Sequence, residues 1–381
     1  MKSLIYFDNA ATTFPKPTAV LDSVLRSVSS YCANPGRSSH RLAIKAAEEV
    51  YVCREALAKT LGASEECVVF TENATHSINL ALKSLLKQGD HILISDIEHN
   101  AVLRPVTALA KDGVITYDIY TVMQDTEQML SALEAQIRHS TKLICACYHS
   151  NICNTVLPIE AIARICKKHG VLLLVDASQA AGLLPINMKT QGIDILCAPG
   201  HKGLYGIPGC GFAIFSDGLA ESGMLSTFIE GGNGVASLDP FMPELLPERL
   251  EAGTLPLPAI CSLKAGLQFV NEIGTDNIYR HEKWLCSVIN DGLSGIKKIR
   301  IHSKTNGSIL LFSVDGVSSE DFATELDKHG VCVRAGFHCA PLAHKKLHTP
   351  QDGAVRVSLG ALNTEKEALR FIDICKEILH G

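Results

Sequence analysis

The sequence has no apolar run long enough to cross a membrane. A membrane-spanning helix needs about 18 consecutive apolar residues, and no segment of the 381 residues reaches that length. The apolar stretch near the N-terminus, Leu4 to Phe7, is interrupted by Asp8 and is too short for a signal peptide. We therefore expect a cytoplasmic protein that does not act on a membrane.

The sequence also lacks a strong charge of either sign. Its formal net charge of -5 is small for 381 residues, whereas binding to nucleic acid or to an anionic membrane surface calls for a basic face. We therefore expect neither of these partners. No internal repeat, charge block or low-complexity linker interrupts the chain, so its domains should pack tightly against one another.

Although 14 cysteines are present, no two of them form a CxxC pattern. This argues against a zinc knuckle and a thioredoxin-like site, and no metal site is predicted. A disulfide framework is not expected in a cytoplasmic chain of this length. Cysteines such as Cys145, Cys147 and Cys197 stand in apolar runs, and we interpret most of them as small buried hydrophobic residues. A functional cysteine must be found from its sequence context.

The sequence does contain a regular alternation of short apolar runs and helical patterns. The runs are CVVFT (67–71), HILIS (91–95), KLICACY (142–148), VLLLVD (171–176), DILCAPG (194–200) and CGFAIFS (210–216). Runs that are apolar on both faces and separated by helices are typical of a parallel sheet covered on both sides. The pattern therefore predicts a doubly wound α/β domain.

The pattern changes after about residue 255. Helical stretches near 258–273 and 276–292 are followed by GSILLFSVDG, a helix over 319–329, GVCVRAG, AVRVSLG and a last helix that begins with a capping box at Thr364 to Glu367. We predict a large α/β domain over 15–255. A smaller α+β domain would be formed by 1–14 and 256–381.

Polar residues follow five of the predicted strands. They are Thr71, Asn73 and Thr75 after the first run, then His99, Asn151, Asp176, and His201 with Lys202. In an open α/β sheet, ligands bind at the carboxyl ends of the strands. Five strand ends that supply polar groups together indicate one ligand site.

The types of these residues indicate which ligand binds there. A pyridoxal phosphate site needs a lysine that holds the cofactor as a Schiff base, an acid that keeps the pyridine nitrogen protonated, and donors for the phosphate. Lys202 lies in the glycine-rich segment GHKG, and Asp176 ends the run VLLLVD. Thr75 stands at a predicted helix N-terminus, where backbone N–H groups favour a phosphate. We therefore predict pyridoxal 5'-phosphate as the cofactor.

A series of longer motifs runs along nearly the whole chain. They are YFDNAATT (6–13), NPGRSSH (34–40), FTENATHSINLAL (70–82), IEHNAVLRP (97–105), HSNICNTVLPI (149–159), VDASQAAG (175–182), GHKGLYG (200–206), EGGNG (230–234), EAGT (251–254), RAGFHCAPLAH (334–344) and VRVSLGALNT (355–364). Together they resemble the class V aminotransferase family of fold-type I pyridoxal phosphate enzymes and, within it, the cysteine desulfurases. The resemblance implies a mainly parallel seven-stranded sheet between helices, and a homodimer.

The resemblance implies a role for each cofactor contact. Lys202 would carry the cofactor and move protons at the substrate carbon, Asp176 would pair with the pyridinium nitrogen, and His99 would stack on the ring. The other implied contacts are Gln179 and Asn151 at the ring oxygen, Ala74, Thr75, Ser178 and His201 at the phosphate, and Thr254 at the phosphate of the partner subunit.

The resemblance also implies how the substrate is held. Arg356 would clamp its carboxylate, since the planar guanidinium matches a carboxylate with two parallel hydrogen bonds. The further substrate contacts that it implies are Asn9, Ala10, Asn151 and Arg334.

Cys339, in RAGFHCAPLAH, matches the catalytic cysteine of the family. Its thiolate would take the sulfur of L-cysteine and form a persulfide, and His338 and Arg334 would favour the thiolate. The compact motif resembles the group II, SUF-type desulfurases, which often need a separate sulfur acceptor protein. The resemblance therefore implies such a partner and a place in sulfur metabolism such as iron–sulfur cluster assembly.

Three other functions stay open. A selenocysteine lyase shares the fold and the cofactor. A class V aminotransferase or other β-lyase would leave Cys339 incidental, and its motif counts against that. A non-catalytic scaffold for sulfur transfer is opposed by the intact Lys202, Asp176 and Arg356. Asn154, where the family commonly has glycine, and His76, where it often has an acidic residue, leave details of substrate and partner open.

Overall fold

A seven-stranded sheet forms the centre of the computed structural model, which describes residues 4–36, 38–304 and 306–380. Its strands are β2 (Val68–Thr71), β3 (Asp90–Ser95), β4 (Ile115–Tyr120), β5 (Thr141–Cys147), β6 (Leu172–Asp176), β7 (Ile195–Pro199) and β8 (Gly211–Phe215). They are ordered β2-β8-β7-β6-β5-β3-β4, and only β8 runs antiparallel to its neighbours. The predicted mainly parallel sheet is confirmed.

The sheet is buried on both faces. Along β7, Leu196 and Ala198 belong to one hydrophobic core, whereas Ile195 and Cys197 point into a second core on the opposite face. This is why the strand is apolar at every position instead of alternating with polar residues.

Helices cover the two faces of the sheet. The N-terminal and central helices are α1 (Thr18–Tyr31), α2 (Arg41–Leu61), α3 (Ala74–Leu85), α4 (Asn100–Lys111), α5 (Thr126–Glu134), α6 (Ile159–His169), α7 (Met188–Gln191), α8 (Asp217–Glu221) and α9 (Leu257–Ile273). Helices α3 and α4 bury Ile78 and Val102 in the second core, whereas α2, α6 and α9 bury Leu57, Ile162 and Leu263 in the first.

The C-terminal part of the chain builds a separate small sheet with its own core. Its elements are α10 (Thr275–Ser294), β9 (Ile299–Ile301), β10 (Ile309–Val314), α11 (Ser319–Lys328), β11 (Val331–Cys332), α12 (Pro341–Lys346), β12 (Val355–Ser358) and α13 (Glu365–His380). Strands β12, β10 and β9 pair antiparallel, and the short N-terminal strand β1 (Ile5–Tyr6) pairs with β11. Phe7 packs edge-on against Phe371 in this third core. The division into domains at residue 255 stays a prediction.

Local sequence signals explain how the last helix begins. The backbone N–H of Thr364 donates to Oε2 of Glu367 over 2.6 Å, and the backbone N–H of Glu367 donates to Oγ1 of Thr364 over 3.3 Å. This is the reciprocal pair of a capping box, as predicted from the sequence.

The cysteines behave mostly as small apolar residues. Eleven of the 14 are buried, Cys332 and Cys339 are partly buried, Cys32 is exposed, and all are free thiols. In the described part of the chain, no helix is both long and apolar enough to cross a membrane. The described residues also contain no group of three or more His, Cys, Asp or Glu side chains that could hold a metal ion.

Candidate active site

A cavity of about 510 Å³ lies at the carboxyl ends of the parallel strands. Its walls are formed by Asn73, Ala74, Thr75, His99, Ala101, Cys147, His149, Asn151, Asp176, Ser178, Gln179, Pro199, His201 and Lys202. The structure thus brings together nearly all of the residues that the sequence predicted for the cofactor, and they come from five different strand ends.

Asp176 and Lys202 follow neighbouring strands of the sheet. Asp176 pairs with Cys197 between β6 and β7, is 3% exposed, and accepts a 2.9 Å hydrogen bond from the backbone N–H of Ser178. Burial lowers the pKa of Lys202 from 10.5 to about 8, although the nearby Asp176 charge opposes the change. A substantial fraction of the Lys202 amine is therefore neutral near pH 8 and able to attack an aldehyde.

Two glycines allow the turn that carries Lys202 to approach the segment after Asp176. A Cβ atom on Gly182 would lie 2.1 Å from the carbonyl oxygen of Gly203, and Gly182 has a φ of +86°. A Cβ atom on Gly203 would lie 2.4 Å from the carbonyl oxygen of Ala181. Any side chain at either position would force the lysine turn and the segment after Asp176 apart.

His99 is the N-cap residue of α4 and faces the cavity. Its Nδ1 accepts a 3.0 Å hydrogen bond from the backbone N–H of Ala101, so the neutral ring carries its proton on Nε2. Burial lowers the pKa of His99 to about 4, and the charge of Asp176 opposes this only in part. The ring is therefore neutral at physiological pH and offers Nε2–H as a donor.

The N-terminus of α3 and the residues after β6 and β7 line the same cavity. The side chain of Asn73 caps the helix by accepting from the backbone N–H of His76 over 2.9 Å, and Ala74 and Thr75 occupy the first turn. The Nδ1 atom of His201 is buried without a partner among the described residues. Free donors at a helix N-terminus favour a phosphate.

Arg356 is almost completely buried, at 1% exposure. Its Nη2 donates to Oδ1 of Asp8 over 2.7 Å, and its Nη1 donates to the carbonyl oxygen of Asn151 over 3.3 Å. Its Nε has no partner in the described part of the chain. The guanidinium is thus fixed in direction by Asp8 and has N–H donors left over, among them the Nε–H.

Cys339 lies in a loop that is tied to the cavity. The loop carbonyls of His338 and Cys339 accept hydrogen bonds from Nδ2 of Asn151 over 2.9 Å and from the backbone N–H of Asn100 over 2.7 Å. The Sγ atom of Cys339 is 3.6 Å from Nη2 of Arg334. This contact places the positive charge of Arg334 beside the sulfur atom.

The expectation that His338 also favours the thiolate is wrong. Both ring nitrogens of His338 are engaged elsewhere. Nδ1 contacts Nε2 of His344 at 3.1 Å, and Nε2 contacts the carbonyl oxygen of Arg334 at 3.1 Å. Burial lowers the pKa of His338 to about 2, so the ring carries no charge at physiological pH. Arg334 is the cation beside Cys339.

Other residues that the resemblance implied lie outside the cavity wall. Asn9 uses its amide to donate to the carbonyl of Ser358 over 3.1 Å and to accept from the backbone N–H of Phe14 over 3.2 Å. The carbonyl of Ala10 accepts from Nε2 of Gln179 over 2.9 Å. Exposed Thr254 accepts a hydrogen bond from Asn34 over 3.2 Å and does not line the cavity of its own chain.

The structure adds residues that the sequence analysis did not select. His149 lines the cavity, and its Nε2 is buried without a partner among the described residues. Glu98 is fully buried, and burial raises its pKa to about 8. Its Oε1 accepts from Ser95 and from the backbone of Cys147, which lines the cavity. His149 and Glu98 stand in the motifs HSN and IEHN, which were the only sequence signal for them.

Comparison with known proteins identifies similar chains along the full length. A family model described as aminotransferase class V matches residues 5–371. A probable cysteine desulfurase of Methanothermobacter thermautotrophicus is 31% identical, and the match covers 99% of this chain and 95% of the relative. A probable cysteine desulfurase of Xylella fastidiosa (strain Temecula1) is 33% identical, covering 97% of this chain and 90% of the relative.

Solved structures give the same result. The apo cysteine desulfurase of Thermococcus onnurineus NA1 superposes with a TM-score of 0.91 at 31% identity, covering 99% of this chain and 95% of that chain. The S-sulfonic acid form of an Escherichia coli cysteine desulfurase has a TM-score of 0.89 at 25% identity, again covering 99% and 95%. These similarities confirm the resemblance that the sequence motifs carried.

Proposed function

Because the chain belongs to the aminotransferase class V family, we propose that it is a pyridoxal phosphate-dependent cysteine desulfurase. It would remove the sulfur of L-cysteine, release L-alanine and hold the sulfur as a persulfide on Cys339. The observation that carries this proposal is the contact between Sγ of Cys339 and Arg334, in a loop hydrogen-bonded to the cavity of Lys202.

The residues of the cavity fit pyridoxal 5'-phosphate, the cofactor of this family. The unpartnered Nδ1 of His201, beside the N-terminus of α3, suits a phosphate. Buried Asp176 suits a protonated pyridine nitrogen, and the lowered pKa of Lys202 suits attachment to an aldehyde. When bound, the cofactor supplies an electron sink for the bonds at the substrate α-carbon.

Arg356 would hold the carboxylate of the substrate. Its Nε is buried and unused in the described structure, and Asp8 holds the guanidinium in place. A buried arginine without a second acid is well suited to bind an anion, because the anion completes its hydrogen bonds. The amino acid would thus be oriented between Arg356 and Lys202.

Cys339 would carry out the sulfur transfer. Its thiolate attacks the substrate sulfur, a sulfur–sulfur bond forms, and the bond from that sulfur to the substrate carbon breaks. The electron pair of the broken bond stays with the carbon fragment, which takes up a proton and leaves as alanine. Nζ of Lys202 lies in the cavity wall and would move this proton.

A homodimer and a separate sulfur acceptor protein complete the proposal. Leu21, Leu25 and Val28 on α1 are 53%, 68% and 54% exposed, which is typical of a surface that a second subunit covers. Exposed Thr254 would then reach the phosphate of the partner subunit. The free thiols also fit the reducing cytoplasm as the compartment.

A product assay tests the proposed function. Purified protein with pyridoxal phosphate, L-cysteine and a reductant should release sulfide and alanine in equal amounts. Lys202→Ala should lose this turnover and the visible absorbance of the bound cofactor, whereas Lys189→Ala, at an exposed lysine paired with Asp217, should retain both. Alanine without sulfide, or turnover by Lys202→Ala at the wild-type rate, would contradict the proposal.

A further inference from the structure

Three side chains form a continuous hydrogen-bonded chain behind Cys339. Oγ1 of Thr349 lies 2.8 Å from Nδ1 of His344, Nε2 of His344 lies 3.1 Å from Nδ1 of His338, and Nε2 of His338 lies 3.1 Å from the carbonyl oxygen of Arg334. The two ring planes are nearly parallel, at 8°, and the ring centroids lie 5.3 Å apart, as expected for rings joined edge to edge by this hydrogen bond. This hydrogen-bonded chain thus runs from Thr349, in the loop after α12, to Arg334, the residue whose guanidinium contacts Cys339.

The chemistry of the last acceptor fixes the direction of every bond. A backbone carbonyl can only accept, so Nε2 of His338 must carry a hydrogen, and Nδ1 of His338 must accept. His344 must therefore donate from Nε2 and accept at Nδ1, which leaves Thr349 as the donor. Burial lowers the pKa of His344 to about 4 and that of His338 further, with Arg356 adding to both effects. Both rings are therefore neutral, as this arrangement requires.

This hydrogen-bonded chain of side chains holds an unusual backbone conformation at His338 and Cys339. His338 and Cys339 both adopt left-handed backbone angles, with φ of +51° and +54°. Residues with a Cβ atom rarely adopt this conformation, and two in succession persist only when neighbouring groups hold them. The ring of His338 is fixed from one side by Arg334 and from the other by His344.

We infer that His344 and Thr349 are positioning residues for Cys339, because they hold the ring of His338 and thereby the strained backbone that aims the thiol. The hydrogen bonds of these two side chains go to each other, to His338 and to the backbone of His344, and none goes to the sulfur of Cys339. Their role is therefore to position other groups and is not itself catalytic. The inference rests on the proposed role of Cys339 as the sulfur acceptor, although the hydrogen-bonded chain itself can be tested without it.

Histidine NMR tests the chain independently of any activity. Protein labelled with 15N in histidine should show His338 and His344 as neutral Nε2–H tautomers between about pH 6 and pH 8. Thr349→Val should shift the Nδ1 signal of His344, which loses its donor. An Nδ1–H tautomer or a protonated ring at either residue would overturn the inference, whatever the protein's activity.

Kinetics test the positioning role. Thr349→Val should slow persulfide formation from cysteine about five-fold, the factor expected for one buried hydrogen bond, with unchanged KM and unchanged cofactor absorbance. Thr349→Ser should restore the rate, and Thr324→Val, at an exposed threonine on α11, should have no effect. His344→Leu breaks the chain closer to Cys339 and should lose at least as much.

A wild-type persulfide rate in both Thr349→Val and His344→Leu would overturn the inference. A KM that rises in parallel with the loss of rate would also overturn the inference, because the substitutions would then disturb the whole site. A wild-type enzyme that forms no persulfide would instead contradict the proposed function, and the NMR experiment would still decide whether the chain exists.

Discussion

The backbone N–H of Asn100 donates a 2.7 Å hydrogen bond to the carbonyl oxygen of Cys339. Asn100 directly follows His99, whose ring lines the cavity, so one hydrogen bond joins the cavity wall to the loop that carries the thiol. Nδ2 of Asn151 makes a second such link, to the carbonyl of His338. The two parts of the proposed site, which lie more than 180 residues apart in the chain, are therefore held in a fixed relation.

Arg356→Ala should weaken amino-acid binding far more than cofactor binding. Loss of a buried charge-assisted pair costs about 2–5 kcal/mol, which should appear as a large rise in KM for cysteine at full cofactor content. Arg356→Lys keeps the charge but loses the planar fork of the guanidinium. Its KM for cysteine should lie between those of the wild type and Arg356→Ala. Arg370→Lys, on the exposed face of α13, serves as the matched control. An unchanged KM in Arg356→Ala would remove this arginine from the substrate site.

The pKa of Lys202 predicts how the cofactor-free enzyme takes up pyridoxal phosphate. Only the neutral amine attacks the aldehyde, and burial lowers the pKa of this amine to about 8. The rate of reconstitution should therefore rise as the pH increases towards 8 and level off above it. N-acetyl-lysine treated in parallel corrects for titration of the cofactor itself. A rate that continues to rise towards pH 10.5 would show an ordinary lysine.

Asn154→Gly should loosen the contact between the loop after β5, which carries Asn154, and the small C-terminal sheet. Nδ2 of Asn154 donates to the carbonyl of Lys304 over 2.8 Å, and its Oδ1 accepts from the backbone N–H of Ile309 over 2.9 Å. Glycine adopts the φ of +56° found here without strain, so the variant removes the side chain alone.

The expected loss in the free energy of unfolding for Asn154→Gly is about 1–3 kcal/mol, with faster hydrogen exchange at Ile309. Asn154→Asp would place a buried carboxylate against the carbonyl oxygens of Lys304 and Ile309, and should lose more. A melting temperature and an exchange rate equal to wild type in Asn154→Gly would show that this amide does not join the two parts.

The sequence predicted elements whose pattern is determined locally. Strands β5, β6 and β7 are buried on both faces and so appear as continuous apolar runs. Strand β4 was missed because it lies at the sheet edge, where Thr116 and Ile119 are exposed and no apolar run forms. Helices α1 and α2 were not predicted either.

The residues of the site likewise divide into those that the local sequence predicts and those that it does not. Asp176 and Lys202 could be selected because each follows a strand, and the carboxyl ends of parallel strands meet. The partner of Arg356 could not, since Asp8 is 348 residues away in the chain. His338 was misjudged because its position next to Cys339 says nothing about the direction of its ring, which His344 and the carbonyl of Arg334 determine.

Mass spectrometry of Cys339 after brief exposure to L-cysteine tests the proposed sulfur transfer most directly. The wild-type peptide that contains Cys339 should gain the mass of one sulfur atom, and Cys32→Ala, which removes the exposed cysteine, should behave in the same way. Cys339→Ala should keep the fold and the cofactor absorbance, yet release no sulfide from cysteine. Selenocysteine cleavage should survive in part, since selenium leaves more easily than sulfur. Release of sulfide from cysteine by Cys339→Ala at the wild-type rate would contradict the account and favour a β-lyase.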